Sequence, residues 1–256
     1  MRKARFLLVL LAWCLSAAAA LAAAGPSPGM PPDEALKVLK DGNARYVEGK
    51  PQHPHQNRER RALTFGQGQH PLAAVLACSD SRVPVELIFD QGIGDLFVVR
   101  VAGNVAQADE LGSLEYAVGH LAVPLVVVLG HSQCGAVSAV VDNLKLTGHL
   151  VAPLAPVKSA VAKAKADNPE LAGEALLNAA IQANIWQAVE DLLQKSNEVK
   201  AQAKAGKLQV VGALYELDTG QVQWLGPHPT RDKLLGIKGR GPAGPKAPVR
   251  KGQQEP

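Results

Sequence analysis

The sequence predicts a single α/β domain in which a mainly parallel central β-sheet is flanked by helices. Three observations predict it. Two apolar, β-favouring runs, Leu72 to Leu76 and Leu125 to Leu129, are continuous rather than alternating, as in strands buried on both faces. Segments with helical spacing separate these runs from each other and from later ones, which is the rhythm of a parallel sheet. The stretch between the two polar ends is about 200 residues long, which suits one domain.

The chain begins with basic Met1-Arg2-Lys3-Ala4-Arg5, an apolar run from Phe6 to Leu15, and small residues from Ala17 to Gly25. That order predicts a secretory signal peptide over residues 1–24, cut after Ala20-Leu21-Ala22 or Ala22-Ala23-Ala24. Its apolar core falls short of the roughly 20 residues that span a bilayer. Export, to a bacterial periplasm, is expected, with no stable membrane insertion after cleavage. Residues 25–32 read as a Gly/Pro linker and residues 33–230 as the folded domain.

Asp33 is expected to cap a helix running to about Glu48, with Leu36, Leu39, Asn43 and Tyr46-Val47 on one face. Lys50 to Arg61 is polar, and His53 and His55 flank Pro54 in what reads as a solvated loop. Leu72 to Cys78 is the first core strand, followed by a short helix from Val83 to Phe89. Gly94 to Arg100 is a second strand, Leu111 to Leu121 a helix, Val123 to Leu129 a third strand and Gly135 to Leu144 a helix. Leu177, Ile181, Ile185, Ala188 and Leu192 recur at helical spacing, predicting one long helix from Glu174 to about Gly206. Leu208 to Leu217 and Gln221 to Leu225 form a hairpin about Asp218-Thr219-Gly220. Residues 231–256 read as a basic, Gly/Pro-rich tail with too little apolar content to fold.

The formal net charge of +4 is not spread over the fold. Arg2, Lys3 and Arg5 supply three positive charges and Arg231 to Pro256 a net five, leaving a net −4 on the body between. A nucleic-acid surface needs clustered positive charge on the fold. Nucleic acid is therefore not an expected partner.

Cysteine usage is more informative. Of Cys14, Cys78 and Cys134, the first leaves with the signal peptide, so two remain in a compartment that permits disulfides. A structural disulfide would explain neither Asp80-Ser81-Arg82 after Cys78 nor His131 three residues before Cys134. Both motifs follow predicted strands, and ligands collect at the carboxyl ends of strands in open α/β sheets. Cys78, His131 and Cys134 make a Cys₂His set, the three-ligand pattern of a catalytic zinc with a spare position. One Zn²⁺ per chain is expected. Cys134 would lie at a helix N-terminus, which favours thiolate. Two thiolates neutralise the ion's charge, so its bound water should ionise on the alkaline side of neutral and zinc-bound hydroxide should be the nucleophile. Asp80 could fill the fourth metal position, or accept a hydrogen bond from that hydroxide while Arg82 holds it off the metal in a bidentate pair.

Cys78-Ser79-Asp80-Ser81-Arg82 with Gly130-His131-Ser132-Gln133-Cys134-Gly135 resembles the β-class carbonic anhydrases. The likeness extends over most of residues 33–226 and includes Gly42 to Tyr46, Gly94 to Arg100, Ala102-Gly103-Asn104, Ser113 to Val118 and Asn184-Ile185. The resemblance implies reversible hydration of CO₂ to bicarbonate and a proton. It implies zinc on Cys78, His131 and Cys134, with Asp80 exchanging between the metal and Arg82. It also implies a homodimer or higher homo-oligomer with its site at the subunit interface. Gln69 matches a substrate-binding glutamine of the plant-like branch, and Phe97 and Tyr116 match residues that branch supplies to the pocket from the neighbouring subunit. Val75 stands where the bicarbonate-inhibited branch has tryptophan, so a constitutively open, plant-like site is expected. Two other readings use the same ligands: a zinc hydrolase of a CO₂ analogue such as carbonyl sulfide or carbon disulfide, and a non-catalytic zinc-binding protein. Storage of zinc would need neither Asp80 nor Arg82. A thiol-redox protein would want a Cys-x-x-Cys, which this chain lacks, and would have no use for His131. His70, His120, His149 and His228 lie outside the ligand motifs and read as surface or loop residues.

Overall fold

A computed structural model of the chain describes residues 29–237. The expected signal peptide, the first part of the linker and residues 238–256 of the tail lie outside the described residues.

Helix α1 is Pro32–Val47. Its N-cap is the extended Pro31, not Asp33; Asp33 and Glu34 sit inside the first turn, where their charge favours the positive end of the helix dipole. The helix buries Ala35, Leu39, Gly42 and Asn43 at helical spacing. A Cβ on Gly42 would lie 1.8 Å from the Phe89 carbonyl oxygen, so only glycine lets the helix approach so closely. Buried Asn43 donates to Ile88 O (3.1 Å) and Gly220 O (2.9 Å), and its Oδ1 accepts from Val222 N–H (2.9 Å). One amide thus ties α1 to two distant turns.

Helix α2, Arg58–Gln67, begins inside the segment expected as a solvated loop, Lys50 to Arg61; it is capped by Asn57, whose Oδ1 accepts from Arg60 N–H at 2.8 Å. Only Arg60 of this helix is buried. Arg60 Nη2 reaches Asp95 Oδ1 (3.0 Å), and His55 Nδ1 stands 2.8 Å from both Asp95 oxygens. His55 is therefore a partner of a buried carboxylate. Charge pairing, not an apolar stripe, holds this segment down.

Strands β1 (Ala73–Ala77), β2 (Leu96–Arg100), β3 (Leu125–His131), β4 (Gln209–Tyr215) and β5 (Val222–Gly226) form one sheet in the order β2-β1-β3-β4-β5. All neighbours are parallel except β4 and β5, the expected hairpin. Every residue of β1 and β3 is buried. Alternate side chains feed two apolar layers, as the two-residue period of a strand requires. Leu76, Val126 and Val128 face one cluster with Leu114, Ile185 and Leu192; Val75, Val127 and Leu129 face the other, with Leu39, Ile88 and Phe89.

Short helix α3 (Val85–Ile88) follows β1, α4 (Ala108–Gly119) follows β2 and α5 (Gly135–Val141) follows β3. Helix α6, Ala155–Asp167, lies in a stretch given no element from sequence; it buries Val157, Ala160, Val161 and Ala164. The single long helix expected next is two, α7 (Gly173–Lys195) and α8 (Asn197–Lys204). Ser196 breaks it: the residue is extended, and its Oγ accepts from Val199 N–H at 3.1 Å as the N-cap of α8. Helix α9 (Arg231–Leu234) then places Leu235 in the core, so the packed body runs past residue 230. No helix among the described residues is long and apolar enough to cross a membrane.

Candidate metal centre

Strands β1 and β3 are neighbours, while the chain leaves β1 for β2 on the other side. Their carboxyl ends therefore open a crevice where the winding of the sheet reverses, the usual position for a ligand. Cys78 is the first residue beyond β1. Strand β3 runs two residues further than its apolar pattern predicted, because Gly130 and His131 continue the ladder opposite Leu214 and Tyr215. Gln133 turns the loop with φ 53°, and Cys134 is the N-cap of α5.

The crevice brings Cys78, His131 and Cys134 together. One ligand atom from each lies within 4.8 Å of the others, and all three residues are buried. Imidazole orientation is set by Nδ1, which lies 2.9 Å from Ser132 O. Ser132 is fixed in turn: its N–H donates to Tyr215 O (2.9 Å) and its Oγ accepts from Leu217 N–H (2.9 Å). His131 Nε2 is left buried without a hydrogen-bond partner among the described residues. A buried polar atom without a partner costs about 1–3 kcal/mol unless something else satisfies it. Here a lone pair faces two sulfurs, the donor set that suits zinc. The residues fit the ion.

The two thiols are unequal. A hydrogen bond from Cys134 draws the Cys78 pKa down to about 4 against the opposing effect of burial, with further help from His131 and from the Gly103 and Asp80 N–H groups. Donating that hydrogen bond to Cys78, together with burial, pushes the Cys134 thiol up. The Gly103 N–H lies 3.4 Å from Cys78 Sγ, and Asn184 of α7 holds Gly103 in place by donating to its carbonyl at 2.7 Å.

Asp80 stands beside the cluster. Both its oxygens face Arg82, with Nε to Oδ1 at 3.0 Å and Nη2 to Oδ2 at 2.8 Å, and the Arg82 N–H also donates to Oδ1 at 2.9 Å. Hydrogen bonding to Arg82 holds the Asp80 carboxyl well below the usual carboxylate range. Its Oδ2 is 3.9 Å from His131 Nε2. Gln69 lies exposed in the irregular segment between α2 and β1. Phe97 on β2 and Tyr116 on α4 meet with ring centroids 6.2 Å apart, and Tyr116 stacks on His120 at 5.3 Å, so these aromatics form a patch beside the edge strand.

The groups around the cluster were not read from the sequence. Asn184 entered only as part of the family resemblance; the signal that could have found its role is an amide inside an otherwise apolar helical stripe, which when buried needs a specific partner. The Ser132 carbonyl gave no such signal, because every residue has one.

The sequence profile of the family described as carbonic anhydrase matches residues 73–222. Carbonic anhydrase 2 of Mycobacterium tuberculosis (strain ATCC 25618 / H37Rv) is 41% identical over 198 residues, 76% of this chain and 93% of that protein. The carbonic anhydrase of Mycolicibacterium smegmatis is 42% identical over 201 residues, 77% of this chain and 94% of that protein. Among solved structures, the β-carbonic anhydrase CafA of the fungal pathogen Aspergillus fumigatus is similar with a TM-score of 0.61 at 29% identity, covering 80% of this chain and 96% of that one. A tetrameric β-carbonic anhydrase of Sordaria macrospora is similar with a TM-score of 0.61 at 26% identity, covering 75% and 96%. With the Cys₂His cluster at the switch of a parallel sheet and these likenesses together, the chain belongs to the carbonic anhydrase family, in its β class of zinc lyases.

Proposed function

We propose that this chain interconverts CO₂ and water with bicarbonate and a proton, using one zinc ion held by Cys78, His131 and Cys134. The observation that carries the reading is Asp80: it is ionised, paired through both oxygens to Arg82, and 3.9 Å from the otherwise unpartnered His131 Nε2. When bound, the metal would lower the pKa of a water so that it ionises to the nucleophile on the alkaline side of neutral. An ionised carboxylate can only accept hydrogen bonds. Asp80 would therefore take an O–H from the attacking water and turn its lone pair toward the carbon. Paired through both oxygens to Arg82, that carboxylate would stay off the metal, in keeping with an open resting state. Orientation of this kind lowers the barrier because the groups are placed before the reaction begins.

Gln69, Phe97 and Tyr116 would complete the substrate pocket across a homodimer or larger assembly. Residues 1–24 would direct the enzyme out of the cytoplasm, to a periplasm. Asp80→Asn tests the orienting role, since the amide can donate as well as accept. Its kcat should fall about 10²–10³-fold, the loss typical of removing a positioned charge-stabilising group, while zinc stays at one per chain. A variant that hydrates CO₂ at the wild-type rate would overturn the assignment. Faster turnover of carbon disulfide than of CO₂ by the wild-type enzyme would move the substrate to the sulfur analogues.

A further inference from the structure

Arg100 ends strand β2, paired in register with Ala77. Beyond that pair the two strands keep exchanging hydrogen bonds, Val101 N–H to Ala77 O (3.1 Å) and Ser79 N–H to Val101 O (3.2 Å). The ladder thus carries the Cys78-to-Asp80 segment out over the crevice. At that point the Arg100 guanidinium reaches across from β2. Its Nε donates to Cys78 O at 3.0 Å and its Nη2 to Asp80 O at 2.6 Å.

These two carbonyls belong to the metal ligand and to the orienting carboxylate. Hydrogen bonds from an ionised donor are roughly twice as strong as neutral ones, and a planar guanidinium fixes geometry as well as distance. Asp80 is therefore gripped twice, at its side chain by Arg82 and at its main chain by Arg100. Cys78 is likewise held at its thiolate by the Gly103 N–H and at its carbonyl by Arg100.

We propose that Arg100 is a positioning residue for the site: it locks the Cys78–Asp80 backbone so that the thiolate and the carboxylate keep their relative placement. The proposal rests on the zinc-lyase reading, but its first readout does not need turnover. Arg100 touches neither substrate nor metal in this role. Loss of the clamp frees the segment, so zinc leaves faster and Asp80 points less reliably. Removing an outer partner of a metal ligand typically costs 10–100-fold in metal affinity or activity.

The experiment compares wild type, Arg100→Lys and Arg100→Ala as full exported chains loaded with zinc. Zinc release to a chromogenic chelator is timed first, and kcat and KM for CO₂ are then measured. Arg100→Ala is expected to release zinc about tenfold or more faster, with kcat reduced and KM little changed. Arg100→Lys, which keeps the charge but has no fork, is expected to fall between. A circular-dichroism melt separates these effects from unfolding: an Arg100→Ala variant that melts like wild type yet releases zinc faster supports the clamp. Wild-type zinc release from folded Arg100→Ala would overturn the proposal, whatever the activity. So would a variant whose loss lies wholly in KM, since that would place Arg100 on the substrate. Faster zinc release in a chain whose wild type hydrates no CO₂ would support the clamp while sinking the anhydrase reading.

Discussion

Gly130, immediately before the ligand His131, shows how narrowly the site is packed. A Cβ there would fall 2.6 Å from Cγ1 and Cδ1 of Ile185 on α7. Either the isoleucine moves or β3 is pushed away, and forced overpacking of this kind costs about 1–3 kcal/mol. Gly130→Ala should lower the urea midpoint accordingly and reduce zinc content after purification. An unchanged midpoint would mean that α7 yields easily. The cluster of candidate ligands was legible in the sequence, because chemistry restricts such residues to a few types at fixed spacing behind apolar runs. Their supports were not. Ser132 acts on His131 through a carbonyl that every residue possesses, and Arg100 acts through a register that only the folded sheet defines.

At the scale of elements, the N-terminal segment is held by buried carboxylates. Asp90, 2% exposed, receives Arg45 Nε (2.6 Å) and the N–H groups of Gln52 (3.0 Å) and His53 (2.9 Å). Burial alone would raise its pKa, but the Gln52, Arg45 and His53 hydrogen bonds outweigh it and hold the carboxyl below its ordinary value. A depressed folded pKa gives stability that is fully present above the unfolded value, about 3.9, and is lost as the pH falls through the folded one. Asp90→Asn, which does not titrate, should be about 1–3 kcal/mol less stable than wild type at neutral pH. The gap should close in unfolding curves taken below about pH 4. A constant gap down to about pH 3 would refute the assignment. The same chemistry explains why α2 escaped the sequence: apolar periodicity marks helices that bury a stripe, whereas α2 buries one arginine against Asp95. Helix α6 did carry a stripe, Val157, Ala160, Val161 and Ala164, but small residues and interspersed lysines made it faint. The break between α7 and α8 turned on a serine, which is neutral in pattern and decisive only as a cap.

For the whole molecule, the parallel sheet and its hairpin edge were readable because continuous apolar strands with intervening helices admit few topologies. The proposed substrate pocket takes Phe97 and Tyr116 from a second chain. Phe97, on edge strand β2, packs partly buried against the sheet face covered by α4, where it meets Tyr116, which is 46% exposed. An exposed edge carrying apolar side chains is a template for another chain. Sedimentation should therefore find a dimer or larger. Phe97→Asp should shift it toward monomer and lower CO₂ hydration together; a fully active monomer would remove the shared-pocket account.

In the proposed reaction Cys78, His131 and Cys134 hold one zinc ion on which CO₂ is hydrated. Stopped-flow CO₂ hydration at mildly alkaline pH, with zinc counted per chain in wild type and in Cys134→Ala, tests it most directly. Rapid hydration with about one zinc per chain, both lost in the variant, is the predicted result. Full zinc occupancy in the wild-type chain with no hydration above the uncatalysed rate would contradict it.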